Sequence, residues 1–180
     1  MINLIIEGNI GSGKTTLAQL LKDTYPDCDV ILEPVEKWRN IVDKEGNSLL
    51  HNFYQDQKRW SYTFQNAAFI TRIQEMQKPQ TATTRFVERS VFTDRNVFAL
   101  NCYESGVMAE VEWNLYLSWF DWLVEEFKVK PNGYIYVKTD PDNCLKRIHK
   151  RDRCEETSVP LFYLQKIHNK HEDWLNNINT

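Results

Sequence analysis

The sequence predicts an α/β domain in which helices cover a parallel sheet on both faces. Short apolar runs recur along the chain, longer helix-like segments separate them, and no repeat or Gly/Ser-rich linker divides the 180 residues. Nearly continuous apolar strands that alternate with helices are typical of a sheet buried on both faces. We therefore expect a single domain that spans residues 1–180.

Each element has its own signal in the sequence. A crossover helix is expected between the first two strands, over Lys14–Tyr25. Asp140 and Pro141 are the residue types that open a helix, as N-cap and first helical residue. The four runs predicted as strands are Ile2–Glu7, Val30–Glu33, Arg85–Glu88 and Tyr134–Lys138.

An aromatic segment, Met108–Phe127, has the pattern of a helix with apolar residues on more than one face. Two interpretations fit this pattern: a helix that is buried all round, or a helix with a second face that forms a homodimer contact. The apolar side chains in question are Trp113, Leu115, Tyr116, Trp119, Phe120, Trp122, Leu123 and Phe127.

Composition limits the class of protein. The chain has 22 Lys and Arg against 25 Asp and Glu, so its formal net charge is −3. A protein that binds nucleic acid polymers usually carries a basic excess, so we expect no such partner. The cysteines lie far apart, and no apolar run is long enough to cross a membrane or to form a signal segment. These features favour a cytoplasmic protein with free thiols.

A phosphate-binding motif follows the first predicted strand and opens the first predicted helix. Glycines there let backbone N–H groups point at phosphate oxygens, Lys14 reaches the β- and γ-phosphates, and the Thr15 hydroxyl binds Mg²⁺. The alternative is a glycine-rich turn with a surface lysine. The segment that fits G-x-x-x-x-G-K-[ST] is Gly8, Asn9, Ile10, Gly11, Ser12, Gly13, Lys14 and Thr15, with Thr16 directly after it.

Three further motifs occur in a fixed order: EPVEKW at Glu33–Trp38, ERS at Glu88–Ser90, and a basic segment at Lys146–Glu156. Together with the glycine-rich motif they resemble the deoxyribonucleoside kinase family, which contains deoxycytidine, deoxyguanosine, mitochondrial thymidine and insect multisubstrate kinases. The resemblance extends from Ile2 to about Leu175. It implies a P-loop kinase fold with a parallel sheet, flanking helices and an arginine-rich lid at about residues 146–157.

The resemblance also implies an activity. The γ-phosphoryl group of ATP would be transferred, with Mg²⁺, to the 5′-hydroxyl of a deoxynucleoside, and the enzyme would be a homodimer. Glu33 would be the catalytic base, Arg89 would bind near the 5′-oxygen and orient Glu33, and Glu88 would join Thr15 at the metal. Glu33 ends a predicted strand, where ligands of parallel sheets bind. Taken alone, a solvated carboxylate at Glu33 and a local ion pair at Glu88 and Arg89 are the alternatives.

The predicted lid is basic. Arg147 and Arg151 are four residues apart and share one helical face, and Arg153 follows. By the resemblance these three arginines close over the phosphates and stabilise charge during transfer, whereas most basic helix faces are only solvated. His149 stands where the insect-type enzyme commonly has arginine, and it would make the charge of the lid mildly dependent on pH.

The resemblance implies a nucleoside pocket as well. Tyr54 and Glu156 would hold the 3′-hydroxyl, and Gln65 has a donor and an acceptor for a base edge. For the aromatic members of the pocket the alternative is ordinary core. The residues that line the base are Trp38, Leu50, Phe53, Gln65 and Phe98.

Ala68, Arg72 and Asp94 stand where thymidine-preferring members of the family carry apolar residues. A buried Asp94 would pair with Arg72 and accept a hydrogen bond from an exocyclic amine, which thymine lacks. We therefore expect deoxycytidine or purine deoxynucleosides as substrates over thymidine. The sequence leaves the choice among dC, dA and dG open.

Two alternatives remain at this point: another P-loop kinase, such as a nucleoside monophosphate kinase, and, from a different class, a non-catalytic nucleotide-binding protein. The first would need a second basic site for the acceptor phosphate, and the second would lack Lys14, Glu33 or Arg89, all of which are present. Family members usually continue into a fifth strand and a loop that contacts adenine. The printed sequence ends at Thr180, soon after Trp174, so it predicts neither feature.

Overall fold

The computed structural model describes residues 1–156 and 159–178, without the side chain of Cys154. Within this part of the chain the strands are β1 (Ile2–Glu7), β2 (Cys28–Ile31), β3 (Thr84–Glu88) and β4 (Gly133–Tyr136). The longer helices are α1 (Lys14–Thr24), α2 (Val35–Asn40), α3 (Leu49–Gln55), α4 (Gln57–Met76), α7 (Glu110–Glu126), α8 (Pro141–Arg151) and α9 (Leu161–Asn176). A continuous helical stretch comprises α5 (Val91–Thr93), a π-helical segment (Asp94–Ala99) and α6 (Leu100–Glu104), and a 3₁₀ turn covers Cys154–Glu156.

The strands form one parallel sheet in the order β2-β3-β1-β4. The predicted α/β class is therefore confirmed. β1 lies between β3 and β4, so the phosphate motif leaves the sheet from an interior strand. The neighbouring β3 ends directly before Arg89, and the ends of both strands lie at the same edge. This edge is where ligands of parallel sheets bind.

Two strands, β2 and β4, end two residues earlier than predicted. β2 begins and ends two residues early, at Cys28 and Ile31, so Glu33 lies in the loop beyond the strand rather than at its last position. The cause is local: Glu33 precedes Pro34, and its carbonyl accepts a hydrogen bond from the Val35 N–H at 2.9 Å, which begins a turn into α2. β4 ends at Tyr136 rather than Lys138.

Helices pack on both faces of the sheet and form separate apolar clusters. On one face, Ala18 of α1 packs with Ile6 and Phe86. Ile5, the neighbour of Ile6 in β1, is also fully buried, so the opposite face of the sheet is covered as well. A second, larger cluster joins α3, α4 and α7, with Phe69 and Tyr116 among its fully buried members. A third cluster joins α8, α9 and the π-helical segment. The site described below lies between the second and third clusters.

The aromatic helix α7 is buried along one face only. Tyr116 and Phe120 are buried in the core, whereas Val111, Trp119 and Trp122 are 74%, 44% and 54% exposed. The interpretation of a helix buried all round is therefore wrong, because only one of its apolar stripes has a partner within the described chain.

The helix predicted at Asp140 and Pro141 begins there. Pro141 is its first residue, where the missing N–H costs nothing, and Asp140 is the N-cap residue, although its side chain makes no capping hydrogen bond. The lid predicted for residues 146–157 consists of the end of α8 and the 3₁₀ turn. Its last residue, Thr157, lies outside the described residues.

Candidate active site

The glycine-rich loop after β1 lies tightly between β4 and α8. Gly11 has a φ of 75°, and a Cβ atom there would lie 2.6 Å from the carbonyl oxygen of Cys144 in α8. A Cβ atom on Gly8 would lie 2.6 Å from the carbonyl oxygen of Val137. No side chain fits at either position, so the glycines are required for the backbone to form this loop.

Lys14 is the first residue of α1 and is buried at the base of the loop. Its Nζ donates to the carbonyl oxygen of Asn9 at 2.7 Å, so the lysine lies against the inside of the loop. Burial, together with the charge of the nearby Arg89, lowers the pKa of Lys14 to about 7. The Asn9 side chain fixes the loop, since it donates to the Leu164 carbonyl and accepts from the Ile10 N–H, both at 2.8 Å.

Thr15 and Glu88 bring two oxygen ligands together beside this loop. The Thr15 Oγ1 donates to Glu88 Oε1 at 2.6 Å, and Glu88 is buried at the end of β3. One hydroxyl and one carboxylate suit Mg²⁺, which proteins usually bind through few side chains while phosphates and water supply the rest. No group of three or more acidic, His or Cys ligands occurs in the described residues.

Glu33 is the centre of a buried ion-pair cluster. Its Oε1 lies 3.1 Å from Arg89 Nε and also accepts a hydrogen bond from Arg72 Nη2. Burial alone would raise the pKa of Glu33, but the charges of Arg89, Arg72 and Lys14 outweigh it and lower the pKa to about 2. Glu33 is therefore ionised at every pH at which the protein is expected to work.

Arg89 follows β3 in a backbone conformation that is uncommon for residues other than glycine. Its φ is 64°, and its N–H donates to the Ile6 carbonyl of β1 at 3.0 Å. The side chain is buried, its guanidinium lies 4.8 Å from the ring centre of Phe98, and its Nη1 has no hydrogen-bond partner among the described residues. Such strained residues cluster at functional sites.

A second acidic group lies deeper in the cluster. Asp94 accepts a hydrogen bond from Arg72 Nη1, so the predicted pair is present, and a single arginine joins Asp94 to Glu33. Burial outweighs the opposing charge of Arg72 and raises the pKa of Asp94 to about 6. Asp94 begins the π-helical segment, a helix type that is rare and often found at functional sites.

The lid arginines have two kinds of partner, the backbone of the phosphate loop and the carboxylate of Glu156. Arg147 Nη1 donates to the Ser12 carbonyl at 2.7 Å and so attaches α8 to the phosphate loop. Arg151 and Arg153 instead pair with Glu156, the second at 3.5 Å. Two residues predicted to bind phosphate thus contact one predicted to bind the sugar.

Comparison with known proteins decides the family. The model of the deoxynucleoside kinase family matches residues 4–180. Deoxycytidine kinase 2 of Gallus gallus is 41% identical over 94% of this chain and 72% of its own length, and human deoxycytidine kinase is 40% identical over 94% and 74%. Human mitochondrial thymidine kinase 2 is 39% identical over 96% of this chain and 63% of its own length.

The chain belongs to the deoxynucleoside kinase family. The predicted resemblance is thereby confirmed, and with it the P-loop kinase fold and the assignment as an enzyme. The alternatives of a nucleoside monophosphate kinase and of a non-catalytic nucleotide-binding protein are set aside. No described helix combines the length and the apolar character that a membrane crossing requires.

In this deoxynucleoside kinase, one cavity of about 510 Å³ brings most of the predicted site residues together. Three predicted residues, Gly8, Asn9 and Ser12, do not line the cavity. They lie behind it and shape the loop. The predicted residues that line the cavity are Ile10, Gly11, Gly13, Lys14, Thr15, Thr16, Glu33, Trp38, Leu50, Phe53, Tyr54, Gln65, Ala68, Arg72, Glu88, Arg89, Asp94, Phe98, Arg147, Arg151, Arg153 and Glu156.

Five further residues line the cavity and were not predicted from the sequence: Leu32, Val35, Glu36, Phe64 and Tyr163. Val35 and Glu36 lie within the EPVEKW motif, so the motif itself was a usable signal. Phe64 stacks on Phe53, with ring centres 4.5 Å apart, and its position next to Gln65 was a weaker signal. Tyr163 comes from α9, and nothing near it in the sequence marks it as part of the site.

Proposed function

We propose that this enzyme transfers the γ-phosphoryl group of ATP to the 5′-hydroxyl of a deoxynucleoside in nucleotide salvage. One observation carries the proposal: the carboxylate of Glu33 and the guanidinium of Arg89, 3.1 Å apart, lie in the same cavity as Lys14 and the phosphate loop. A base, an arginine for the developing charge and a phosphate cradle are the parts that phosphoryl transfer requires.

At the acceptor end, Glu33 would accept a hydrogen bond from the 5′-hydroxyl and orient it for attack. A carboxylate with a pKa of about 2 is a weak base, so it would take the proton only as the new P–O bond forms. This suits a loose transition state, in which the nucleophile loses its proton late. Arg89 pairs with Glu33, and its Nη1 has no hydrogen-bond partner among the described residues. This Nη1 would donate to the 5′-oxygen as that oxygen attacks the phosphorus.

At the donor end, Lys14 would leave the Asn9 carbonyl and bind the β- and γ-phosphates, while the loop N–H groups hold the remaining oxygens. Thr15 and Glu88 would hold Mg²⁺, which supplies charge neutralisation at those phosphates.

The lid would complete the site. Arg147 already contacts the loop through Ser12, and Arg151 and Arg153 would exchange Glu156 for phosphate oxygens when ATP binds. This exchange would release the Glu156 carboxylate to hold the sugar 3′-hydroxyl together with Tyr54, which lines the same cavity.

The pair of Arg72 and Asp94 supports a preference for deoxycytidine or purine deoxynucleosides over thymidine. Asp94 Oδ2 and Gln65 Oε1 are buried acceptor atoms without a hydrogen-bond partner among the described residues. The exocyclic amines of cytosine and adenine would donate hydrogen bonds to such acceptors. Thymine has a carbonyl oxygen in place of the cytosine amine, and its lone pairs would face these acceptors. The relatives include deoxycytidine kinases and a thymidine kinase, so their names do not decide this point.

The remaining proposals concern the whole protein. We propose a single domain, because one sheet joins strands from both halves of the chain and one cavity is lined by residues from both halves. A homodimer is supported by the exposed apolar face of α7, with Val111, Leu115, Trp119 and Trp122. A cytoplasmic location is supported by cysteines that stay free, namely Cys28, Cys102 and Cys144 among the described side chains.

A phosphorylation assay tests the proposal. The wild-type protein is given Mg·ATP and, separately, each of the four deoxynucleosides, their ribose counterparts and the matching 5′-monophosphates. We expect product with deoxycytidine or a purine deoxynucleoside, less with thymidine and none with the monophosphates. Thymidine as clearly the best acceptor would contradict the role of Asp94, and turnover of monophosphates alone would contradict the acceptor class.

A further inference from the structure

Glu7 is a buried carboxylate that lies outside the cavity. It is the last residue of β1, directly before the phosphate loop, and none of its surface is exposed. A carboxylate in such a position is costly unless hydrogen bonds satisfy it. The residues that donate hydrogen bonds to Glu7 are therefore expected to have a role beyond local packing.

The partners of Glu7 are the first residues after Arg89. Glu7 Oε1 accepts from the Ser90 N–H at 3.1 Å and from the Ser90 hydroxyl at 2.8 Å. Oε2 accepts a short hydrogen bond from the Thr93 hydroxyl. The Thr93 N–H also donates to the Ser90 carbonyl at 3.2 Å, so one carboxylate holds both ends of the first helical turn after β3.

This turn determines where Arg89 points. Arg89 has a φ of 64°, and its N–H is bonded to β1 through the Ile6 carbonyl at 3.0 Å. On one side Arg89 is thus fixed to Ile6, and on the other side Ser90 is fixed to Glu7, the next residue of the same strand. These two sets of hydrogen bonds hold Arg89 at a positive φ, a conformation that a residue other than glycine would otherwise not keep.

We infer that Glu7 is a positioning residue for phosphoryl transfer: its carboxylate holds the turn after β3 so that Arg89 keeps its contact with Glu33. The inference rests on the proposed function. Glu7 does not line the cavity. It acts through Ser90 and Thr93, and the same contacts fix the start of the helical stretch that carries Asp94.

Thr93 offers the sharpest test, because valine and threonine have the same shape. Thr93→Val removes the hydroxyl that Glu7 accepts, whereas Thr93→Ser keeps it. Ser61→Ala is the matched control, since the Ser61 hydroxyl also makes a buried hydrogen bond, to the Val107 carbonyl at 2.7 Å, and does not line the cavity. For each protein kcat, the two KM values and the melting temperature are measured.

We expect Thr93→Val to lower kcat about 10-fold or more while both KM values stay within about threefold of wild type, because displacement of a catalytic group costs mainly the chemical step. Thr93→Ser should restore kcat, and Ser61→Ala should lower only the melting temperature. Ser90→Ala removes a hydroxyl from the other carboxylate oxygen and repeats the test independently, so it decides the matter if Thr93→Val fails to fold.

Wild-type kcat in both Thr93→Val and Ser90→Ala would overturn the inference. An equal loss in Thr93→Val and Thr93→Ser would overturn it as well, because the hydroxyl would then be irrelevant. A wild-type protein that phosphorylates no deoxynucleoside would overturn the proposed function itself, and that result is obtained in the same assay.

Discussion

The proposed phosphate end and the proposed acceptor end of the cavity are built in different ways. At the phosphate end, one continuous segment supplies the backbone cradle, Lys14 and Thr15, and two glycines fit where no Cβ atom can. At the acceptor end, side chains arrive from separate parts of the chain: Glu33 from a loop, Arg72 from α4, and Arg89 from the end of β3. The first end depends on backbone shape, and the second depends on a network of buried charges.

The electrostatics of the two ends differ accordingly. Surrounding arginines lower the pKa of Glu33 to about 2 and keep it charged. Burial and the neighbouring Arg89 lower the pKa of Lys14 to about 7, so the lysine is close to losing its charge while no phosphate is bound. At the acceptor end, protein side chains of opposite charge thus balance one another. At the donor end, Lys14 would hold its full charge only beside the phosphates of a ligand.

The largest expected effect is at the acceptor end. Glu33→Gln keeps the shape of the side chain but removes the charge that Arg72 and Arg89 hold, and it cannot accept the proton of the 5′-hydroxyl. We expect kcat to fall about 10³-fold, within the range for loss of a general base. The measurement is steady-state phosphorylation of deoxycytidine, with exposed Glu45→Gln as the control. Near-normal turnover by Glu33→Gln would show that another group is the base.

A smaller effect is expected at Asp94, where the network of buried charges would contact the nucleobase of the substrate. Asp94→Asn keeps the size of the residue and loses the charge that pairs with Arg72. We expect kcat/KM for deoxycytidine to fall about 10- to 100-fold, as for a hydrogen bond to a charged partner. Thymidine, measured with the same variant, is the internal control and should change less. Equal losses for both nucleosides would assign Asp94 to structure alone.

How much the sequence could predict also differs between the two ends. The phosphate loop is one contiguous motif in a strand–helix context, so its position followed directly from the sequence. The acceptor end could be assembled only through the resemblance, because Arg72 and Asp94 lie 22 positions apart and nothing in their spacing joins them. Their pairing was nevertheless predictable, since a buried charge needs a partner.

Other features of the acceptor end had no signal of this kind. The π-helical segment that begins at Asp94 depends on tertiary packing, and helical patterns do not distinguish it from an α-helix. Tyr163 reaches the cavity from a helix, 110 residues after Phe53 in the chain, and local sequence patterns do not relate residues so far apart. The pairing of Glu156 with Arg151 likewise joins two residues that were predicted to bind different parts of the substrates.

The smallest expected effect lies at the donor end and follows from Lys14. Its pKa of about 7 in the free protein should rise when phosphates surround the ammonium group, so Mg·ATP binding at about pH 8 should take up a proton. At about pH 6 Lys14 is already protonated, and the uptake should be near zero. Calorimetry in buffers of different ionisation enthalpy measures the number of protons taken up. The affinity for Mg·ATP should weaken by up to about tenfold from pH 7 to pH 8.

Lys14→Arg provides the control, because a guanidinium remains charged over this range and removes the titrating group without removing the cation. The pH-dependent part of the proton uptake should then disappear. If Lys14→Arg takes up as many protons as the wild type at about pH 8, the titrating group lies elsewhere, and the contrast between a self-sufficient acceptor end and a ligand-dependent donor end is wrong. If the difference is one proton, the donor end acquires its full charge only with its substrate, which would make ATP binding the step that completes the electrostatics of the site.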